Sequence, residues 1–371
     1  MSVKCRAICG AIEQLAPPYL AEEWDNSGLQ LGDPEAEIKR VLVALDVTPE
    51  IMEQAKAEKV QMIIGHHPLI FRPLKALRTD SVPGGIIREA IKNEIVVYAA
   101  HTNLDSAGAG VNHLLAAKLG LETAVPLCSV QQEGLLKIVV FVPAGAEDGV
   151  RNAMAEAGAG WIGNYSHCFF QSAGTGTFLP GAGAKPYIGS QGTLERVDEY
   201  RLETIVRESQ VKGVVAAMLT AHPYEEVAYD LYSLSNKGES LGLGRVGKLA
   251  APLTVRALAE KVKTVLGCTA VKIAGDKAKT VSKIAVCGGS GAGLAGKALL
   301  AGAEVLVTGD VKYHEAQDAM ARGLTVIDAG HFATEQLIVP ALAGYLRSYA
   351  REQAWDLEII AARESDVFAY I

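Results

Sequence analysis

The chain has 371 residues, of which 49% are hydrophobic and 21% charged, a composition of packed domains rather than of disorder, and long enough for two of them. No uninterrupted apolar run approaches the roughly 20 residues that cross a bilayer, so no membrane association is expected. The net charge of −7 weighs against broad nucleic-acid binding, which needs a basic footprint, though it leaves room for a local basic patch.

The opening "MSVKCRAICGAIEQLAPPYL" reads as an amphipathic first helix rather than a signal peptide, because Glu13 arrives early and no clean apolar core follows. "KRVLVALDV" (39–47) reads as a buried strand. "TPEIMEQAKAEK" (48–59) reads as a helix, with Thr48 as N-cap and Pro49 in the first turn. "VQMIIGHH" is the next strand, "SVPGGIIREAIKNE" a helix, "IVVYAAHTN" a strand and "GAGVNHLLAAKLGL" a helix. This alternation predicts a parallel sheet faced by helices.

The middle differs. "LLKIVVFVP" (135–143), "DGVRNAMAEAGAG" (148–160), two strands at 165–181 and 195–208, then a helix and a strand in 211–234 follow the order β-α-β-β-α-β, a ferredoxin-like succession. "LGLGRVGKL" (241–249) reads as a return linker. The α/β alternation then resumes through "SKIAVCGGSG", "AEVLVTGD", "LTVIDAGH" and "TEQLIVPALAGYLRSYARE", one long helix despite Pro340, and closes on the strand "WDLEIIAA". The predicted fold is a discontinuous parallel-type α/β domain made from both chain ends, 1–128 and 247–371. It carries an inserted ferredoxin-like α+β module at 131–245.

The six cysteines are scattered. Cys5 and Cys9, four apart, share a helix face, and no C-x-x-C pair forms. Free thiols in a reducing, cytoplasmic setting are expected.

The polar residues fall at strand ends: Asp46, His66 and His67, His101 and Asp105, Asp310 with His314, and His331 with Glu335. Ligands gather beyond the carboxyl ends of parallel strands. Adjacent histidines in a strand point apart, so two neighbouring cations would use both. His331 and Glu335, at i and i+4, share a helix face, and a carboxylate can bridge two cations. The set His66, His67, Asp105, His331 and Glu335 therefore suggests a two-metal centre. Nitrogen and oxygen donors suit zinc, iron, manganese or nickel. Each residue also has an ordinary alternative. The histidine pair could cap a helix, Asp105 could close an Asx turn, Asp310 could be an N-cap, and His331 and Glu335 a solvated helix start. His113 and His167 read as structural.

Several segments together carry a resemblance: "EEWDNSGLQLG", "GHHPLIF", "AAHTNLDSAGAGVN", "GRVGKL", "CGGSG", "TGDVKYHEAQDA" and "DAGHFATE". They resemble the Nif-three-like dinuclear-metal proteins, also called GTP cyclohydrolase I type two homologues. The insert is similar to the PII and CutA folds of longer bacterial members. The resemblance implies that His67 and Asp105 hold one metal, that His66 and His331 hold the other, and that Glu335 bridges them. It implies a ring-shaped homohexamer. It places His101, Asp310 and His314 near the metals as supporting or proton-transfer groups, with Trp24, Asp25 and Asn26 at the entrance.

Three stretches compete for attention. "GAGLAGKA" (291–298) nearly spells a P-loop, but Ala298 stands where a hydroxyl is required, and Ser290 breaks the dinucleotide register. A small-residue turn leaving room beside the metals is the plainer reading. "AHPYEEVAYD" (221–230) offers His222, Glu225 and Glu226, but reads better as a helix end before Pro223. The glycines at 174–192 could shape an effector pocket, though a flexible loop is the simpler account.

Two divalent cations lower the pKa of a water between them and clamp an oxyanion. A metal-dependent hydrolase follows as the expectation, acting on the guanine ring of GTP or on a phosphoester of a nucleotide or phosphorylated small molecule. The alternative is a non-catalytic metal-binding scaffold whose insert senses a ligand or partner. Association with DNA or a transcription factor is a weaker third reading, against the acidic balance.

Overall fold

Among the described residues, alternating apolar strands and amphipathic helices build two large sheets at the chain ends, beside the short pairing of Val3–Lys4 with Glu37–Ile38, where the sequence suggested one sheet. The computed structural model describes residues 2–236, 238, 240–369 and 371. Contacts divide the chain into two units: one up to Gln131 and from Leu241 onward, the other Gln132–Ser240.

In the larger unit, the first sheet runs in the order Glu358–Ala361, Arg40–Ala44, Met62–Gly65, Val96–Ala99, Gly28–Leu31. Its first four strands are parallel and the last is antiparallel. Alternation along the strands sends side chains to opposite faces. Val41, Val43, Met62 and Ile64 pack with Ile8 and Ile12 of the Cys5–Leu15 helix and Leu342 and Leu346 of the Ile338–Glu352 helix. Leu42, Ala44 and Ile63 pack with Ile51, Met52 and Ala90 on the other face. Truncating such a fully buried leucine or isoleucine to alanine costs about 2–5 kcal/mol.

The second sheet has the order Lys272–Ala274, Thr325–Asp328, Val305–Thr308, Thr280–Val286, Ser240–Thr254, Leu121–Gln132. Its three central strands are parallel. The same alternation holds: Ile284, Val305 and Ile327 face Leu258 and Val262, while Ala285, Leu306 and Val326 face Ala298 and Ala319.

Two further readings are corrected. Residues 241–249 are not a linker but part of the Ser240–Thr254 strand. Its glycines are sites of close backbone approach: a Cβ on Gly242 would lie 1.9 Å from the Cys128 carbonyl oxygen, so the neighbouring strand packs where a side chain would stand. The long C-terminal helix is two, His331–Glu335 and Ile338–Glu352. Pro340 is tolerated because it lies in the first turn of the second helix, where its missing N–H has no intrahelical partner anyway. Thr48 caps the Pro49–Ala57 helix through its side chain, as read.

In the smaller unit the order is Tyr229–Ser233, Leu135–Pro143, Glu195–Arg207, Phe169–Phe178, all antiparallel. Helices Glu147–Glu156 and Val211–Ala221 complete a β-α-β-β-α-β succession. Ile138, Val140, Leu202 and Val206 pack against Val150, Met154, Val214 and Met218 of the helices.

Candidate metal centre

The strand Met62–Gly65 ends one residue before the histidine pair. His66 and His67 therefore sit in the loop beyond it, free of a strand's strict alternation. Likewise Asp46 lies past Ala44, His101 past Ala99, Asp310 past Thr308 and His331 past Asp328. The carboxyl ends of both sheets, not of one, supply the cluster.

Three imidazoles are oriented alike. His66 Nδ1 lies 2.7 Å from the Ala100 carbonyl, His67 Nδ1 lies 2.9 Å from Asp46 Oδ1, and His331 Nδ1 lies 2.6 Å from Asp310 Oδ2. Each ring donates through Nδ1, which aims Nε2 at the centre. Metal-binding histidines are held in this way, with an acceptor fixing tautomer and ring direction. Glu335 Oε2 receives them: it lies 3.0 Å from His67 Nε2, 2.9 Å from His331 Nε2 and 3.8 Å from His66 Nε2. His67 and His331 meet at 3.3 Å between their Nε2 atoms, although 264 positions separate them in the chain.

Fixed electrostatics follow. Burial opposes charge on His67, but its bonds to Asp46 and Glu335 raise its pKa to about 10. The Glu335 bond raises His331 to about 9. Burial lowers His66 to about 4, so this ring is a neutral donor. Burial works against charge on Glu335 too, yet the His331 and His67 bonds hold it well below the usual carboxylate range. Burial and the neighbouring Glu335 charge push Asp105 well above that range.

Two atoms of the cluster remain orphaned. Among the described residues, His66 Nε2 and Asp105 Oδ1 are buried without a hydrogen-bond partner, 3.6 Å apart. Buried polar atoms are rarely left so, and a cation between N and O donors satisfies both. One ligand atom each from His66, His67 and Glu335 lie within 4.8 Å of one another. The donor set thus fits a divalent cation.

The "CGGSG" turn provides the space. A Cβ on Gly289, at φ +58°, would stand 2.1 Å from Glu335 Oε1. The Gly289 N–H donates to Thr334 Oγ1 and the Gly288 N–H to Asn112 Oδ1. Asn112 in turn donates to the Asp105 carbonyl, tying the ligand helices to the turn.

His101 stands over the cluster, its ring centroid 5.4 Å from that of His66 and 5.6 Å from that of His67. Its Nδ1 is held by Asp25 Oδ1 at 2.7 Å. Asp25 Oδ2 also accepts from the Thr102 and Ser27 hydroxyls; against its burial, the His101, Thr102 and Ser27 side-chain bonds hold it well below the usual range. Trp24 and Phe71, both exposed, pack against His101 in T-shaped arrangements. Asn26 bonds Ile70 and Gln30.

Of the sequence-predicted residues, His66, His67, Asp105, His331 and Glu335 come together, with Asp310 behind His331 and His101 above. His314 does not join their hydrogen bonds among the described residues; it is exposed on the Tyr313–Ala321 helix, edge-on to Tyr313. Asp46 was noted at a strand end but not assigned. Its signal was that end position, one strand away from the histidine pair. Ala100 contributes only a carbonyl, which no residue type reveals.

Residues 3–366 match the family described as Duf34/NIF3 (NGG1p interacting factor 3). A "GTP cyclohydrolase 1 type 2 homolog" from Halalkalibacterium halodurans is 45% identical over 360 residues, covering 97% of this chain and 96% of that one. The Bacillus subtilis protein of the same description is 43% identical, covering 100% and 99%. A solved Bacillus cereus protein related to NIF3 superposes with TM-score 0.89 at 44% identity, covering both chains fully, and a Staphylococcus aureus protein with TM-score 0.70 at 30% identity, covering 100% and 99%. The chain belongs to the Duf34/NIF3 family.

Proposed function

We propose that this protein is a dinuclear divalent-metal hydrolase acting on GTP or on another nucleotide or phosphorylated small molecule. The supporting observation is the common orientation of three imidazoles, each held at Nδ1 and aimed at one buried carboxylate. The relatives' description as GTP cyclohydrolase homologues supplies the substrate class. His66, His67, Asp105, His331 and Glu335 would hold the ions, which we take as zinc, iron or manganese. When bound, such ions supply Lewis acidity toward a carbonyl or phosphoryl oxygen. The family pattern divides the ligands as His67 with Asp105 and His66 with His331, while the separations alone group His67 with His331 and His66 with Asp105. Anomalous scattering from the loaded protein distinguishes these divisions.

The remaining chemistry belongs to the chain. Asp25 fixes His101 so that Nε2 is the nitrogen available to take or give a proton over the cluster. Asp46 and Asp310 keep their histidines from rotating away. Trp24 and Phe71 shield one approach to His101 from water. Two features that the resemblance implies are adopted as part of this reading: a homohexameric ring, and a PII/CutA-like insert carried within the discontinuous α/β domain. Free cysteines among the described residues accord with a cytoplasmic protein, and no described helix is long and apolar enough to cross a membrane.

The test is protein purified without added metal, assayed by elemental analysis and screened against GTP and phosphodiesters. Two ions per chain with turnover abolished by chelation is the expected result. Loaded protein that turns over none of these substrates defeats the hydrolase reading and leaves the metal-binding scaffold.

A further inference from the structure

A second hollow lies wholly within the Gln132–Ser240 unit and shares no residue with the metal cluster. Between the strands Phe169–Phe178 and Glu195–Arg207 the chain leaves the sheet for residues 179–194. This excursion and the 222–228 turn border a half-open cavity of about 480 Å³, within the roughly 300–1,000 Å³ usual for small-ligand sites. Phe178, Tyr187 and Tyr224 form its aromatic walls, and Glu199, Glu225 and Glu226 its acidic groups.

The walls meet at steep angles. Tyr224 and Phe178 have centroids 6.1 Å apart and planes inclined 60°, and Tyr224 and Tyr187 are 6.2 Å apart at 51°. A flat base would need near-parallel faces on its two sides. Inclined faces instead form a box, and aromatic faces carry negative potential.

The carboxylates are built in. Tyr224 Oη donates to Glu199 Oε1 at 3.0 Å. A Cβ on Gly176 would lie 2.1 Å from Glu199 Oε2, so that glycine yields the space in which the carboxylate rests. Glu225 Oε1 accepts the Lys185 N–H at 2.7 Å, tying the excursion to the turn. Among the described residues no Lys, Arg or His side chain lines the cavity, so a phosphate or carboxylate would find no countercharge there.

We propose that this cavity is a binding site for a small organic cation, an ammonium or guanidinium compound, held by the aromatic box and neutralised by Glu199. The proposal is independent of the hydrolase reading. The test is isothermal titration of the full-length protein with agmatine and with choline, and with guanosine as a neutral planar competitor. Saturable binding of either cation is expected, weakened about tenfold or more by Glu199→Gln and by Tyr187→Ala. Tyr187 is 64% exposed, so its removal leaves the packed core intact. Chelator-treated protein is expected to bind equally well, which separates this site from the metal cluster. Absence of saturable binding by both cations, binding of guanosine alone, undiminished affinity in either variant, or loss of binding on chelation would overturn it.

Discussion

The metal cluster and the cavity of the 132–240 unit are two ways of making a polar interior. The cluster draws on residues 268 positions apart and satisfies nearly every nitrogen with a carboxylate or carbonyl. The cavity is local, drawn from about a hundred consecutive residues and lined by aromatic rings and carboxylates. The first suits a charge small enough to sit between side chains. The second is built around something larger. Long-range assembly buys rigidity at a cluster, whereas a short excursion suffices for a pocket.

The sharpest way to break this contrast is Glu335→Ala. It removes the carboxylate all three rings address, and metal retained after dialysis should fall by more than about a hundredfold, with the agmatine titration unchanged. Elemental analysis beside calorimetry reads both halves at once.

Acidity comes next. A protonated imidazole cannot ligate, and His67 and His331 hold their protons up to about 10 and about 9. At least two protons must leave on loading, so apparent affinity should climb about a hundredfold per pH unit below 9. In the metal-free protein the sign reverses: the two raised histidines stabilise the fold fully below their ordinary value of 6.5, and that contribution disappears as pH rises through 9 and 10. Competition titrations against a chelator, at several pH values, measure the slope; a flat profile contradicts it.

Asp46→Ala leaves every ligand in place and frees only the His67 ring. Affinity should drop about 10–100-fold, less than for Glu335→Ala. Gly289→Ala strains a left-handed residue by about 1–2 kcal/mol and pushes on Glu335, so both melting temperature and metal affinity should decline.

The smallest effect belongs to the insert. His222 is buried, its Nε2 donating to the Phe141 carbonyl and its Nδ1 accepting the Tyr224 N–H. Burial lowers its pKa below the ordinary 6.5. Its contribution is therefore complete above 6.5 and lost as pH falls through the depressed value, about 1 kcal/mol for the Tyr224 bond. Unfolding monitored between pH 7 and 5 should show this loss, and His222→Gln should flatten it.

What was legible in the sequence follows the same division. Histidine and glutamate at strand ends and at i, i+4 spacing announce chemistry because few other roles suit them. The aromatic box was not legible, since Phe178, Tyr187 and Tyr224 are residue types that any core uses; only the glycines at 174–192 hinted at it. The strand at Ser240–Thr254 was missed because its glycines read as a flexible connector, when they mark the close passage of a neighbouring backbone. Strand pattern reveals that a segment is extended and buried, but not its partners, so two sheets were read as one.

The pairing of Glu358–Ala361 with Arg40–Ala44 has a consequence for biosynthesis. A nascent chain holds His66 and His67 long before it can cover the outer strand of their sheet or bring Glu335 to them. Capture by the full donor set must therefore wait until residue 335 has been made, 268 positions after His67, and a chain stopped short of it would hold the histidine pair without the shared carboxylate.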